Sequence, residues 1–525
     1  MPTFRPLLTL GLAALTALTA CDAEPPSPSE DAELHERSLT AEPNILLIIM
    51  DDIGVDKVQS YQNDFAGYNP SHMPATPTLS DLSDAGVRFT NAWANPACSP
   101  TRAATYTGRH GFRTGVGAPG NTLPTSETIL ADVLHTNVAT PYEVGLFGKW
   151  HLGDNGIINE ADILDPNTPT PSGDHRQLHP IEHGYDMFAG ELDGTVESYW
   201  GWVHSQQEKK GPWTTAASGV FAVEQEVDDL ISWVSGISGP WFATMAFQAP
   251  HSLKDPNTGQ WGWFEYPGAT SLGACFPITN HPMGSGLWAN SLTDPQKYKA
   301  NVECLDLYLE DMLAGLDDIG ALDNTLIVVV GDNGTEGTFE ESIFAAGAGA
   351  KSSGYEDGIH VPLLVTDGAA WAELVAGDVP SDGLVTGPNR AFSGLVHVVD
   401  LFATLTDVAG GYQTTGTDSQ SFAAVLLDPL LETHRDYNYA EQFMGNTGVA
   451  SIRNANFKLI INKTGASYSA EMYEIGTNLR ETGTELLANP PGPFVTPICV
   501  NLWSELQSLH ASQGSTWLSG APSPC

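Results

Sequence analysis

The stretch NILLIIMDD, residues 44–52, decides the fold. Six consecutive apolar side chains, Ile45 to Met50, leave no polar face, as expected of a strand covered on both sides in a parallel sheet. The run stops on two carboxylates, Asp51 and Asp52. Three further runs end in the same way. TLIVVV (325–330) stops at Gly331-Asp332-Asn333-Gly334, YEVGLF (142–147) enters Gly148-Lys149-Trp150-His151, and WFATMAF (241–247) enters Gln248-Ala249-Pro250-His251. Amphipathic stretches at 76–89, 126–136, 223–236 and 294–320 alternate with these runs and read as helices. The alternation predicts an α/β fold with a large central, mostly parallel sheet flanked by helices. The chain carries no repeat of fixed period.

In open α/β sheets ligands bind beyond the carboxyl ends of the strands, so these four endings are expected at one edge. One Asp-Asp after a strand is ordinarily a turn or a helix cap. Four endings rich in acid–base or ligand side chains point to a site. Asp51, Asp52, Asp332 and Asn333 offer only oxygen ligands, three of them anionic, which suits Ca²⁺ or Mg²⁺ rather than zinc. Lys149, His151 and His251 join them from the strand ends, and Lys351 comes from the loop GAGAKSSGYEDGIHVP (347–362). With Arg102 they form a positive cluster. A cation beside that cluster would bind a compact tetrahedral anion, a sulfate or phosphate ester.

The set still lacks a nucleophile. Cys98, in NPACSPTRAATYTGRH (95–110), sits near the start of a predicted helix, where amide donors and the helix dipole favour anions. A plain thiolate is a soft ligand and a poor match for Ca²⁺, so the thiol is not expected to be the working group.

The chain has 525 residues and a net charge of −42, which excludes a general nucleic-acid binder because no basic surface is available to neutralise phosphates. Its composition, 41% hydrophobic, is that of a globular protein. Arg5 precedes an apolar run from Leu7 to Ala20 that is too short to cross a bilayer. Leu18-Thr19-Ala20-Cys21 resembles a bacterial lipoprotein cleavage box, with Cys21 as the lipidated first residue. Residues 1–20 then form the signal peptide and 21–43, rich in Pro, Ser and acidic residues, a disordered tether. The expected location is the periplasm or the cell surface, with membrane contact only through the lipid anchor. Of the remaining cysteines, Cys275 with Cys304 and Cys499 with Cys525 are nearest in sequence, though connectivity stays open. Cys98 is left over.

CSPTR followed by TGR resembles the signature of the type I sulfatases, in the alkaline phosphatase superfamily. That signature, Cys-x-Pro-x-Arg, is read by a formylglycine-generating maturation enzyme that oxidises the cysteine. The resemblance extends to PNILLIIMDD, GKWHLG, APH, GDNG, the Lys351 loop and IRNANFKLI, nearly the whole mature chain. It implies that Asp51, Asp52, Asp332 and Asn333 hold Ca²⁺, with Mg²⁺ as the alternative, together with position 98. It implies a formylglycine at 98 whose hydrate attacks sulfur and forms a hemiacetal sulfate. Arg102 and Lys149 would steady the hydrate and its sulfate adduct. His251 and Lys351 would hold the sulfate and help protonate the leaving oxygen, and His151 would take the proton that lets the adduct collapse. Such an adduct expels sulfate by elimination, which divides one hard displacement into two easier steps.

The implied activity is hydrolysis of an aryl or carbohydrate sulfate ester. Two rivals remain: a phosphonate monoester or phosphodiester hydrolase of the same superfamily, and an inactive surface glycan-binding protein. Two departures from the family pattern stand out. Thr101 occupies a position often held by Ser or Ala, and Glu356-Asp357-Gly358-Ile359-His360-Val361-Pro362 has His360 where the family commonly has arginine. The catalytic domain is expected over 44–435. Residues 436–525 would be a small C-terminal α+β subdomain of antiparallel strands and a helix. Trp200, Trp202, Trp261 and Trp263 could stack on sugar or aryl rings or simply pack, and His183, His204 and His281 stay open in the same way.

Overall fold

The computed structural model describes residues 42–525 except 65–72, 154–178, 197, 210–213, 255–260, 264–292, 338, 340–349, 413, 477–479, 482–484, 488–491, 512–516 and 519–520. The signal peptide, Cys21, nearly all of the tether, Cys275 and His281 therefore lie outside the described residues. So do the side chains of Trp261 and Trp263.

The apolar run ahead of Asp51 is strand β1 (Asn44–Met50). It lies inside a ten-stranded sheet whose other members are β2 (Gly86–Phe89), β3 (Glu143–Lys149), β4 (Met187–Glu191), β5 (Trp202–Glu208), β6 (Thr214–Ser218), β7 (Trp241–Phe247), β8 (Thr325–Gly331), β9 (Leu363–Asp367) and β10 (Arg390–Phe392). In space the order is β10-β2-β9-β8-β1-β7-β3-β4-β5-β6. The central five, β8-β1-β7-β3-β4, are parallel. Antiparallel pairs bring in β9 and β2 on one side and β5 and β6 on the other, and β10 joins β2 in parallel. The sheet is mostly parallel, as the sequence predicts.

Alternation along β1 sends Leu46, Ile48 and Met50 to one core and Ile45, Leu47 and Ile49 to the other, all at most 1% exposed. Each such burial contributes roughly 2 kcal/mol, which is why both faces must be covered. Helices α1 (Pro77–Ala85), α4 (Ala222–Val234), α5 (Asp294–Asp318) and α6 (Gly368–Ala376) supply the apolar side chains of the first core. Helices α2 (Cys98–Thr107), α3 (Leu130–Thr136) and α7 (Asp400–Val408) supply those of the second.

Two elements differ from the sequence reading. The stretch 76–89 is a helix only to Ala85. Gly86-Val87-Arg88-Phe89 pairs with Leu364–Thr366 as a strand, because a built Cβ at Gly86 would lie 2.3 Å from the Val365 carbonyl oxygen. Strand β3 runs on to Lys149 instead of stopping at Phe147, since Gly148 pairs on both flanks with Ala246 and Gly190.

A separate four-stranded antiparallel sheet forms from β11 (Asn438–Met444), β12 (Thr447–Arg453), β13 (Phe457–Thr464) and β14 (Ser467–Glu474). Helix α8 (Val495–Ala511) packs Cys499, Leu502 and Leu506 against Ile452 and Leu459. Cys499 and Cys525 are bridged, with 5.7 Å between their Cα atoms. Cys304 is disulfide-bonded too, on the buried side of α5, and Cys98 is a free, buried thiol.

Candidate active site

Because β1, β3, β7 and β8 are parallel, their carboxyl ends meet at one edge. Asp51 and Asp52 follow β1, and Asp332 and Asn333 follow β8. Lys149 ends β3 with His151 two residues on, and His251 lies four residues past β7. All are buried. Asp332 is fixed by its amide, which donates to the Met50 carbonyl at 3.0 Å, and its Oδ1 accepts from the Asp52 amide at 3.2 Å. Asp52 and His151 both sit at left-handed φ, 58° and 54°. Strained backbone of this kind persists where the surroundings over-determine it, and it clusters at functional sites.

Position 98 enters from the other core. Cys98 is the first residue of α2, so its side chain lies at the helix's amide-rich end. The lead-in is held by Asn95, whose side-chain amide donates to the Pro100 carbonyl at 3.2 Å while its backbone amide donates to Thr101 Oγ1 at 3.0 Å. Threonine at 101 thus has a structural task here. One turn into α2, Arg102 is fully buried. Its Nε and Nη2 donate to Asp332 Oδ2 at 3.2 and 3.0 Å, Nη1 donates to the Lys149 carbonyl at 2.9 Å, and Asp51 lies 3.7 Å away.

Three cations are paired to three carboxylates: Arg102 to Asp332, Lys149 to Asp51 and Lys351 to Asp52, the last at 2.5 Å. His251 Nε2 stands 3.8 Å from Asp52 Oδ2. Burial alone would raise the Asp51 carboxyl, but Lys149, His251, Arg102 and Lys351 outweigh it and hold it well below the usual carboxylate range. Burial would likewise raise the Cys98 thiol, yet Lys149 and Lys351 bring it down to about 7. His151 is held well below its ordinary value by burial and by Lys149 and Arg102. It is a neutral imidazole, and neither ring nitrogen has a hydrogen-bond partner.

Three buried oxygens are also without partners: Asp51 Oδ1, Asp52 Oδ2 and Asn333 Oδ1. An orphaned buried acceptor is costly unless something outside the protein satisfies it. Asp51, Asp52, Cys98 and His251 each bring a ligand atom within 4.8 Å of the others. Burial and the Asp51 charge push the Asp332 carboxyl upward, a repulsion that a divalent cation relieves. The partnerless oxygens of Asp51, Asp52 and Asn333 suit a hard, oxygen-preferring cation, whereas a plain thiol at position 98 does not.

The structure thus brings together the ten residues assigned to the ion and anion site: Asp51, Asp52, Cys98, Arg102, Lys149, His151, His251, Asp332, Asn333 and Lys351. Other aromatic and imidazole side chains pack elsewhere. Trp202 is 2% exposed with its indole N–H on the Val220 carbonyl, Trp200 packs on Phe221, His204 pairs with Asp229 at 2.7 Å, and His183 lies against Trp150. Several supports were not readable in sequence. Tyr298 on α5 donates to the Asp52 carbonyl at 2.7 Å, and Ser99 donates to the His151 carbonyl at 2.9 Å. Gly194 leaves room for the His151 ring, since a built Cβ there would lie 2.6 Å from Nε2.

The Lys351 loop is clamped on both sides. The Lys351 amide donates to the Thr335 carbonyl at 3.0 Å, and the Ser352 amide to the Pro96 carbonyl at 2.7 Å, two residues before Cys98. Beyond it, Glu356 meets Trp93 Nε1 at 3.1 Å, Lys458 Nζ at 3.0 Å and Arg453 Nη1 at 4.0 Å. Arg453 and Lys458 belong to the motif IRNANFKLI, which therefore anchors the loop from the second sheet. His360, in the place of the family's usual arginine, bonds the Thr90 carbonyl at 2.9 Å, so local packing is maintained.

Fold and site together define an α/β protein whose mostly parallel sheet gathers partnerless carboxylate oxygens and a ring of paired cations at one edge. The sequence matches the family described as Sulfatase over residues 43–412, and the chain belongs to that family. It is 36% identical over 160 residues to human Arylsulfatase D, covering 28% of this chain and 23% of that protein. It is 24% identical over 474 residues to mouse Arylsulfatase J, covering 82% of this chain and 66% of that protein. The chain thus spans less than two thirds of the length of either relative. Among solved structures, BT4656 in complex with its substrate D-glucosamine-2-N,6-O-disulfate is similar in fold, with a TM-score of 0.61 and 18% identity over 90% of this chain and 99% of that one.

Proposed function

We propose that the protein hydrolyses a sulfate ester, releasing an alcohol and inorganic sulfate. The observation that carries the reading is the coincidence, at one buried edge, of three partnerless oxygens with a residue 98 ringed by Lys149, Lys351, Arg102 and His251. Asp51, Asp52, Asp332, Asn333 and position 98 would hold Ca²⁺, with Mg²⁺ as the alternative. Bound there, the cation supplies Lewis acidity toward a sulfuryl oxygen, and formylglycine at position 98 supplies a reusable oxygen nucleophile.

The chain's own side chains do the rest. Lys351 and His251 hold the sulfate and help protonate the leaving oxygen. Arg102 and Lys149, locked by their carboxylates, fix position 98 and stabilise negative charge that develops beside it. His151 stays neutral in its cationic surroundings and accepts a proton from position 98. Arg102, Lys149 and His151 are buried, which keeps water from them, while Lys351 retains partial exposure.

Supporting readings follow from the sequence. The formylglycine requires a maturation enzyme that reads Cys98-Ser99-Pro100-Thr101-Arg102. Residues 1–20 would act as a lipoprotein signal and Cys21 as the anchor, placing the mature chain in the periplasm or at the cell surface. Among substrates, a small aryl or carbohydrate sulfate suits the acidic chain better than a long polyanion, which its charge would repel in low salt.

The test is full-length protein co-produced with a formylglycine-generating enzyme and assayed against aryl sulfate, sulfated sugars and aryl phosphodiesters. Sulfate release that disappears in Cys98→Ala supports the reading, and a mass at position 98 differing from an intact cysteine identifies the modification. Faster turnover of the phosphodiester would favour the phosphonate and phosphodiester rival. Wild-type protein that is fully modified but turns over none of these compounds would leave the glycan-binding rival.

A further inference from the structure

Lys351 sits between two strained residues. Ala350 and Ser352 both have positive φ, 120° and 74°, although neither is glycine. A side chain at such angles costs free energy, so the backbone keeps this shape only where its surroundings impose it. The catalytic domain supplies part of that constraint, through the Thr335 and Pro96 carbonyls that accept from the Lys351 and Ser352 amides. The Ser353 amide closes the turn by donating to the Ala350 carbonyl at 3.0 Å. At its tip, Lys351 Nζ reaches Asp52 Oδ1 at 2.5 Å.

The rest of the constraint comes from the C-terminal subdomain, which grips the next three residues one after another. Ser451 on β12 donates its hydroxyl to the Gly354 carbonyl at 2.6 Å. The Tyr355 hydroxyl donates to Glu471 Oε2 on β14 at 2.7 Å, and the Tyr473 hydroxyl donates to the same oxygen at 2.6 Å. The Glu356 amide donates to both carboxylate oxygens of Glu481, at 3.0 and 3.2 Å. Gly354 lies directly on the second sheet, since a built Cβ there would stand 2.6 Å from Val449 Cγ2 and 3.2 Å from Ile460 Cγ2. Stability alone does not call for strain on either side of a lysine, and a relaxed turn would carry the Lys351 ammonium elsewhere.

We infer that Ser451, and Tyr355 through Glu471, are positioning residues for the reaction: the second sheet holds the loop in the strained form that aims Lys351 at the anion site. Neither residue touches substrate, and each acts only through the lysine. The inference rests on the sulfatase reading and deepens it, because it makes the grip of the C-terminal subdomain a condition for holding sulfate. Misplacing a binding group by a fraction of its reach weakens the bound anion without removing any charge from the site.

The experiment uses full-length protein co-produced with the maturation enzyme and compares wild type with Ser451→Ala, Tyr355→Phe and the double variant. Each substitution deletes one hydroxyl and leaves the packing in place. Tyr437→Phe is the control, since its hydroxyl bonds Asn501 on α8 instead of the loop. Three quantities are read well below the melting temperature: kcat/KM for an aryl sulfate, the inhibition constant of inorganic sulfate, and Ca²⁺ affinity by calorimetry. Each loop variant is expected to lower kcat/KM and raise the sulfate constant by about three- to tenfold, the range of one hydrogen bond. The double variant should lose roughly the product of the two, with Ca²⁺ affinity not weakened and Tyr437→Phe like wild type. An unchanged sulfate constant, an equal loss in Tyr437→Phe, or a matching loss of Ca²⁺ affinity would overturn the inference, because a merely structural role moves all of these together or none. Those results leave the sulfatase reading intact, whereas fully modified wild type inert on every sulfate ester would overturn both.

Discussion

Gly194→Ala is the substitution that tests the site most sharply, because it adds one methyl group and removes no proposed chemical group. A Cβ at 194 would lie 2.6 Å from His151 Nε2, 2.8 Å from Cε1 and 3.1 Å from Cδ2, so the whole edge of the ring faces it. Ordinary contact begins at 3.4 Å, which requires the ring or the glycine segment to retreat by the difference, about 0.8 Å. The ring is poorly placed to yield. His151 is 3% exposed, its backbone is held at φ 54°, and its amide and carbonyl are bound to Leu192 and Ser99. Misplacing a catalytic group by about 1 Å costs on the order of a hundredfold in rate, or roughly 2.7 kcal/mol in the barrier. The expected result is therefore about a hundredfold fall in kcat for aryl sulfate, with KM and melting temperature little changed. Mass analysis should show position 98 still modified. If His151 acts after the first chemical step, a stopped-flow burst of aryl alcohol should survive in the variant while steady turnover drops. Wild-type kcat, or a loss explained by unfolding, would refute the reasoning.

Three further outcomes follow from the same structure. Chelation should abolish turnover and lower the melting temperature, and Ca²⁺ or Mg²⁺ should restore both. At a hundred times its dissociation constant a bound cation stabilises by about 2.7 kcal/mol, so an unshifted melting curve would argue against the ion site. His110 is buried, with its imidazole lowered to about 4 by desolvation. Its folded value lies below the unfolded 6.5, so stability is full above pH 6.5 and is lost as pH falls toward 4, at about 1.4 kcal/mol per unit. His110→Phe should make the acid limb of an unfolding-versus-pH curve shallower by about that slope, whatever its offset at neutral pH. Lys458→Met would leave Glu356 and Glu481 buried without the ammonium that both contact, at 3.0 and 2.6 Å. Breaking a buried pair in this way costs about 3–5 kcal/mol. A thermal-unfolding scan should show a drop of several degrees, and restoring neutrality by also changing Glu481→Gln should recover part of it.

The fold was legible because β1, β3, β7 and β8 are covered on both faces, so their apolar runs are unbroken and their ends conspicuous. Strand β2 escaped because Gly86-Val87-Arg88-Phe89 continues a helical-looking stripe. Only its distant partners, Leu364–Thr366 and Arg390–Phe392, make it a strand. The site was legible for a similar reason. Asp51, Asp332, Lys149 and His251 each lie at or just past the end of a strand, and a parallel sheet carries such residues to one edge without further information. Gly194, Tyr298 and Ser99 follow no such rule. Each acts through the backbone or the space beside a catalytic group, and nothing in a local pattern distinguishes them from ordinary loop or helix residues. The role of IRNANFKLI was likewise hidden, because Lys458 works on Glu356 across two sheets.

The pairing of charges explains how an acidic protein can bind an anion at all. Arg102, Lys149 and Lys351 are matched one for one by Asp332, Asp51 and Asp52. The ring without its cation is thus close to neutral, and it offers a sulfate ester only hydrogen bonds. A divalent ion on the partnerless oxygens would leave the same ring about two charges positive, inside a chain of net charge −42. That local excess is buried and scarcely screened, whereas the surface field decays within about 10 Å at 0.1 M salt. A short anion that passes the surface meets attraction, and a long one keeps most of its charges in the repulsive field. Size selection would then weaken as salt is added.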